Sequence, residues 1–206
     1  MKSILTALAL AASVTLAVPE ARAECHWWQF GECNDSAAGL PDEAPRIGVV
    51  ITIDVSTNRA YLFRDGKLIA KSGTATGSGK EFVYGNDIWL FHTPRGHLKV
   101  LGKIKDPIWR KPDWAFLEAG EKVPSPNSPV RNVKGKLGKY ALDLGEGILI
   151  HGTDDPKSIG QRVSHGCIRL PDKMMAKVYD AAKVGTDVYV FDSQRPTERA
   201  PSRDIR

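Results

Sequence analysis

Hydrophobic and polar positions change phase several times along this chain. Val49, Ile51, Ile53 and Val55 alternate with Val50, Thr52 and Asp54, the two-residue period of a strand. Ala60 to Phe63 predicts a second strand, and Asp65-Gly66 is a hairpin signal leading into Leu68-Ile69-Ala70. Ser72 to Lys80 reads as a Gly/Ser/Thr loop, and Thr93-Pro94-Arg95-Gly96 as a turn before the strand Leu98–Leu101. Lys103 to Pro129 is rich in Trp, Pro and charge, which predicts a long functional loop over a cleft. Strand character resumes at Tyr140–Leu144, turns at Gly145-Glu146-Gly147, and returns in Ile148-Leu149-Ile150, which runs into His151. Pro171-Asp172 opens a helix with Met174, Met175, Val178, Tyr179 and Ala182 on one face and Gly185 as its expected C-cap. Asp187–Phe191 closes the pattern as a strand. These signals add up to one mainly β domain over residues 46–192 with a late helix. Residues 193–206 are expected to form a disordered polar tail.

The chain has 206 residues, 42% of them apolar and 26% charged, which excludes wholesale disorder. Its only long apolar run is at the start. Lys2, the stretch Ile4–Val18 and Ala21-Arg22-Ala23 read as an export signal over residues 1–23, cleaved before Glu24. Periplasmic delivery is the expected outcome. Residues 24–45 read as an extension, in which Cys25 and Cys33 can form a disulfide in an oxidising compartment. That leaves Cys167 without a partner. The net charge of +5 comes from scattered Lys and Arg, and export removes nucleic acid as a partner. A monomer is expected.

Cys167 lies within Ser164-His165-Gly166-Cys167-Ile168-Arg169-Leu170, and His151 ends the apolar strand upstream. An ordinary thiol is only a few per cent ionised at neutral pH, so a nucleophilic Cys needs help. An imidazole can form an ion pair with the thiolate, or it can take the proton as attack proceeds. Gly166 clears space for a reacting carbonyl and suits an oxyanion hole of backbone amides beside Cys167. Arg169 adds positive potential favouring the thiolate and can hold a carboxylate. This pattern predicts fast thiol labelling near neutral pH. A zinc site from His151, His165 and Cys167 lacks a nearby carboxylate, so neither metal nor cofactor is expected. His92 and His97 read as core or solvated histidines. Papain-type enzymes place Cys before His, the reverse of the order here.

Ile150-His151-Gly152-Thr153 followed by Ser164-His165-Gly166-Cys167-Ile168-Arg169-Leu170 resembles the L,D-transpeptidase catalytic domain of bacterial cell-wall enzymes. The resemblance extends over the core, through Asp65-Gly66, Thr93-Pro94-Arg95-Gly96, Leu137-Gly138-Lys139-Tyr140-Ala141-Leu142 and Val184-Gly185-Thr186-Asp187-Val188. It implies a β-sandwich with long loops over the cleft. It implies Cys167 as nucleophile and His151 as its base or ion-pair partner. Gly152 stands where some members carry Ser, so an orienting contact would come from its carbonyl. His165 and Gly166 would shape the loop, while Arg169, Ser164, Thr153, Tyr140 and Trp109 are candidates for substrate contact. The implied substrate is a peptidoglycan tetrapeptide stem cut between the diamino acid and D-Ala, with an amine as acceptor. Carbapenem-type β-lactams would acylate the same thiol. Two alternatives are a hydrolase of the same fold and a non-catalytic wall-binding protein using Trp109 and Trp114.

Overall fold

Alternating apolar residues build a sheet with a covering on both of its faces. The computed structural model describes residues 39–194, all within one compact unit. The export signal, the Cys25–Cys33 pairing and the tail beyond residue 194 lie outside the described residues. Strands β1 (Val49–Asp54), β2 (Arg59–Arg64) and β3 (Lys67–Gly73) form an antiparallel meander. Short β4 (Thr76–Gly77) comes next, then a hairpin of β5 (Glu81–Tyr84) and β6 (Asp87–Leu90). After it lie β7 (Gly96–Lys99), β8 (Gly102–Lys105), β9 (Ile108–Arg110), helix α1 (Asp113–Glu118), β10 (Asn132–Lys134), β11 (Tyr140–Asp143) and β12 (Leu149–His151). The chain ends with β13 (Arg162–Ser164), β14 (Ile168–Arg169), helix α2 (Asp172–Ala181) and β15 (Asp187–Phe191).

The first sheet has the order β3-β2-β1-β15-β7, and the second β14-β12-β11-β8. Ile51, Ile53, Val188 and Val190 of the first sheet meet Leu142, Ile150 and Ile168 of the second in the main core. Met174, Met175 and Val178 of α2 fill the same core, as their helical spacing predicts. The other face of the first sheet is also covered. Leu40 and Ala44 pack there against Val50, Phe63 and Tyr189, so the end of the expected extension belongs to the domain.

Three local expectations change. The Lys103–Pro129 segment holds β8, β9 and α1 rather than a plain loop. The β5–β6 hairpin was not evident in the pattern because Val83, Ile88 and Leu90 are exposed; its two-residue turn places Gly85 at φ +62°. Gly185 does not cap α2. The helix stops at Ala182, and Gly185, at φ +88°, sits in the Lys183–Thr186 turn and donates its N–H to the Val100 carbonyl at 2.8 Å.

Ile150, next to His151 on β12, is fully buried in the core. Ile150→Ala should lower stability by about 2–5 kcal/mol, read as a fall in the urea midpoint with unchanged slope. A shift of only a few tenths would show that the two sheets pack loosely there.

Candidate active site

Parallel pairing of β12 with β14 sets the geometry. Ile150 faces Ile168 and His151 faces Arg169 in register. Both isoleucines are fully buried in the core. Because strand side chains alternate, Leu149, His151, Cys167 and Arg169 all fall on the opposite face. That face floors a cleft of about 970 Å³, whose walls include Trp109, Trp114 and Glu118. The segment between His151 and Ile168, which contains β13, thus returns the chain to β14, the neighbouring strand of the same sheet.

His151 is held from behind. Its Nδ1 donates to the Gly152 carbonyl at 2.5 Å, which leaves Nε2 as the nitrogen able to accept a proton. Gly152 has no room for a side chain, because a Cβ there would lie 2.8 Å from Asp172 Oδ1 and 3.1 Å from Gly138 Cα. Gly138 is in the left-handed region at φ +69°, and its own Cβ would meet Gly152 Cα at 2.8 Å. Two backbones touching without side chains therefore fix the carbonyl that orients the imidazole.

Burial pushes His151 down to about 4, with the Gly152 carbonyl opposing that shift, the Arg169 guanidinium adding to it and Asp154 opposing it. Burial also pushes the Cys167 thiol up, against the Leu149 amide and the Arg169 charge, which favour the thiolate. The resting pair is therefore a neutral thiol and a neutral imidazole at pH 7. Of the two routes open from sequence, this arrangement suits proton transfer during attack rather than a standing ion pair. On these directions alkylation of Cys167 near neutral pH is expected to be slow, where the residue pattern alone predicted it to be fast.

The loop before Cys167 is tied on several sides. Ser164 Oγ donates to the Cys167 carbonyl at 2.5 Å and accepts from the Gly166 amide at 3.2 Å. That second bond removes the Gly166 N–H from the expected oxyanion pair, and the Cys167 amide has no hydrogen-bond partner among the described residues. Thr93, read from sequence only as part of a turn, is buried and bridges the loop. Its Oγ1 donates to the Gly166 carbonyl at 2.9 Å and accepts from the Gly77 amide at 2.8 Å. Gly77 is obligatory, since a Cβ there would lie 2.5 Å from the Thr93 nitrogen. The supposed Ser72–Lys80 loop is thus a brace. β4 pairs with β13, and Ala75 exchanges hydrogen bonds with Arg169 at 2.9 and 3.0 Å.

Not every sequence candidate reaches the cleft. Trp109, Ser164, His165 and Arg169 line it. Tyr140 does not: it shares a strand face with Leu142 and stacks on Tyr179 of α2 at 4.4 Å. Thr153 is buried and turns inward, accepting from the Asp155 amide at 3.0 Å. Neither lines the cleft in this structure, where both make structural contacts instead. Alternation already carried the signal for Tyr140, because Leu142 two residues on is a core residue. Among the described residues no group of three or more His, Cys, Asp or Glu side chains is placed to hold a metal, and no helix is long and apolar enough to cross a membrane.

A thiol and a singly protonated imidazole on one sheet face, above a peptide-sized cleft, are an arrangement that can support cysteine acyl transfer. Comparison with known proteins specifies the family. Residues 48–190 match the L,D-transpeptidase catalytic domain, and the chain belongs to that family. A putative L,D-transpeptidase of Fuscovulum blasticum is 35% identical over 108 residues, 48% of this chain and 51% of that protein. One of Bacillus subtilis is 28% identical over 154 residues, covering 72% and 74%. A probable L,D-transpeptidase of Escherichia coli is 30% identical over 169 residues, covering 79% of this chain but 49% of its own length. The chain spans about half the length of the first of these relatives. The fold is shared with the L,D-transpeptidase of Xylanimonas cellulosilytica, at TM-score 0.54 and 19% identity over 74% of this chain and 63% of that one. The Mycobacterium smegmatis enzyme gives 0.52 and 24%, over 69% and 58%.

The low proton affinity of His151 makes stability depend on pH. The unfolded chain takes up this proton near pH 6.5 and the folded one only near 4, so stability is full above 6.5 and falls between the two values. The loss amounts to about 3 kcal/mol. Urea midpoints of His151→Gln should vary less with pH over that window than those of the wild type. Parallel curves would show that His151 binds protons equally well in both states. Alkylation of Cys167 by iodoacetamide should be slow near pH 7 and still rising beyond pH 9; a plateau below pH 8 would mean an ionised resting thiol.

Proposed function

We propose that this chain is a peptidoglycan L,D-transpeptidase in which Cys167 is the nucleophile and His151 the base. The observation that carries the reading is the His151 tautomer, with Nδ1 committed to the Gly152 carbonyl and Nε2 left to accept a proton on the cleft face it shares with Cys167. In the first half-reaction, Nε2 takes the thiol proton as the sulfur attacks the carbonyl of the diamino acid in a tetrapeptide stem. The bond to D-Ala breaks, the proton passes to the departing amine, and a thioester remains on Cys167. In the second, an acceptor amine attacks the thioester, gives its proton to His151, and the thiol is restored.

The Cys167 amide, which has no other partner among the described residues, is the donor for the carbonyl oxygen as it gains charge. Arg169 adds positive potential there. Ser164, His165, Gly166 and Gly152 hold the geometry rather than touch the reacting atoms. Trp109 and Trp114 supply apolar wall for the stem. The export signal read over residues 1–23, cleaved before Glu24, supports delivery to the periplasm, where members of the family are typically found.

Purified tetrapeptide sacculi incubated with wild-type protein should release D-Ala, and mass spectrometry of the muropeptides should identify the acceptor. Cys167→Ala should fold normally and release none, a loss of at least about 10³-fold. Release by Cys167→Ala at wild-type rate would remove the cysteine mechanism, and no change with either protein would remove the assignment. Tripeptide products without new linkages would instead make water the acceptor.

A further inference from the structure

The Trp-rich segment before β10 reaches across the cleft and grips the residue two positions before the sulfur. Helix α1 presents Trp114 and Glu118 to His165. Trp114 stacks on the His165 ring at 4.2 Å with 21° between planes, and Phe91 meets the same ring edge-on at 4.3 Å. Glu118 Oε2 lies 2.9 Å from His165 Nε2, which donates to it. The imidazole is thus held by a face, an edge and a hydrogen bond at once.

Such a grip matters because the next residue is a glycine. Gly166 sits at φ +126°, a conformation open to glycine alone, so its backbone has wide freedom unless both neighbours are fixed. On the far side, Thr93 and Ser164 hold the Gly166 and Cys167 carbonyls. On the near side, the His165 side chain is the anchor that reaches out of the loop to another element.

Helix α1 is itself well founded, although it has only six residues. Arg131 is buried beneath it and pairs with Asp113 at 2.7 Å. The same guanidinium donates to the carbonyls of Ser125 at 3.0 Å, Lys111 at 3.1 Å and Pro124 at 2.6 Å. A buried arginine with every arm occupied gives the segment a rigid base, and the clamp transfers that rigidity to the nucleophile loop.

We infer that Glu118 is a positioning residue for the proposed acyl transfer: through its hydrogen bond to His165 it holds the Gly166-Cys167 backbone in attack geometry. Trp114 is its partner in the clamp. The inference rests on the functional reading above, but its effect on the thiol can be measured without any turnover. Releasing the loop should open Cys167 to solvent, so alkylation should speed up while catalysis slows. A role in stability alone would not produce these opposite changes.

The test compares Glu118→Ala and Glu118→Gln in the wild-type and His165→Ala backgrounds. Iodoacetamide labelling of Cys167, kcat and KM for D-Ala release, and Tm are measured on each full-length protein. Glu118→Ala should lower kcat about tenfold with KM within about twofold, and raise the labelling rate severalfold. Glu118→Gln, which can still accept a hydrogen bond, should recover most of both effects. In the His165→Ala background, which has no donor for the carboxylate, removing Glu118 should change nothing further. Should that background not fold, Trp114→Leu replaces it, and loss of Glu118 there should cost clearly less than it does alone. A raised KM with unchanged kcat would make Glu118 a substrate contact and overturn the inference. So would equal losses in both backgrounds, or a lowered Tm with labelling and kcat untouched. If wild-type protein releases no D-Ala yet labelling shows the coupling, the functional reading fails and the clamp stands.

Discussion

The touching backbones of Gly138 and Gly152 govern the chemistry of the site. An imidazole can serve as a base only if one nitrogen is bare and aimed, and the other must be committed elsewhere. Here a main-chain carbonyl makes that commitment. A carbonyl has no rotamers, so its direction is set by the path of the chain. That path is set by the close approach of a left-handed glycine to the residue after His151. The buried sheet row of Ile150 and Ile168 fixes the height of the two strands, and alternation then puts imidazole and sulfur on one face.

Burial does two things to this pair at once. It removes water from His151 and part of it from Cys167, so both charged forms become more expensive and an uncharged resting pair is favoured. Arg169 lies within reach of both groups and acts in opposite senses. It makes the imidazolium less favourable and the thiolate more so. In the proposed reaction, negative charge developing on sulfur or on a carbonyl oxygen would be stabilised by Arg169, and His151 would take up its proton only as that charge builds.

Much of the sheet and the chemical core was legible because both are local in sequence. Alternation announced β1, β11 and β12, and the run from Ser164 to Leu170 announced its own importance. The face of Met174, Met175 and Val178 likewise gave α2. What escaped was carried by pairs distant along the chain. Thr93 reaches Gly166 across 73 residues and Glu118 reaches His165 across 47, and neither spacing leaves a periodic trace. The β5–β6 hairpin escaped because Val83, Ile88 and Leu90 face solvent, so burial leaves little periodic trace in it. Tyr140 lies away from the cleft for a different reason. A motif suggested the cleft, while the strand phase it shares with Leu142 put it against α2. The protonation of the dyad was not legible at all, since residue types alone do not reveal how much water surrounds them.

The uncharged sulfur bears on how the protein survives before it acts. Peroxides and disulfides attack thiolates far faster than thiols. A cysteine that rested as an anion would be lost sooner to sulfenic acid or to mixed disulfides. Burial keeps the Cys167 proton in place, so the same desolvation that makes the nucleophile reluctant also makes it durable.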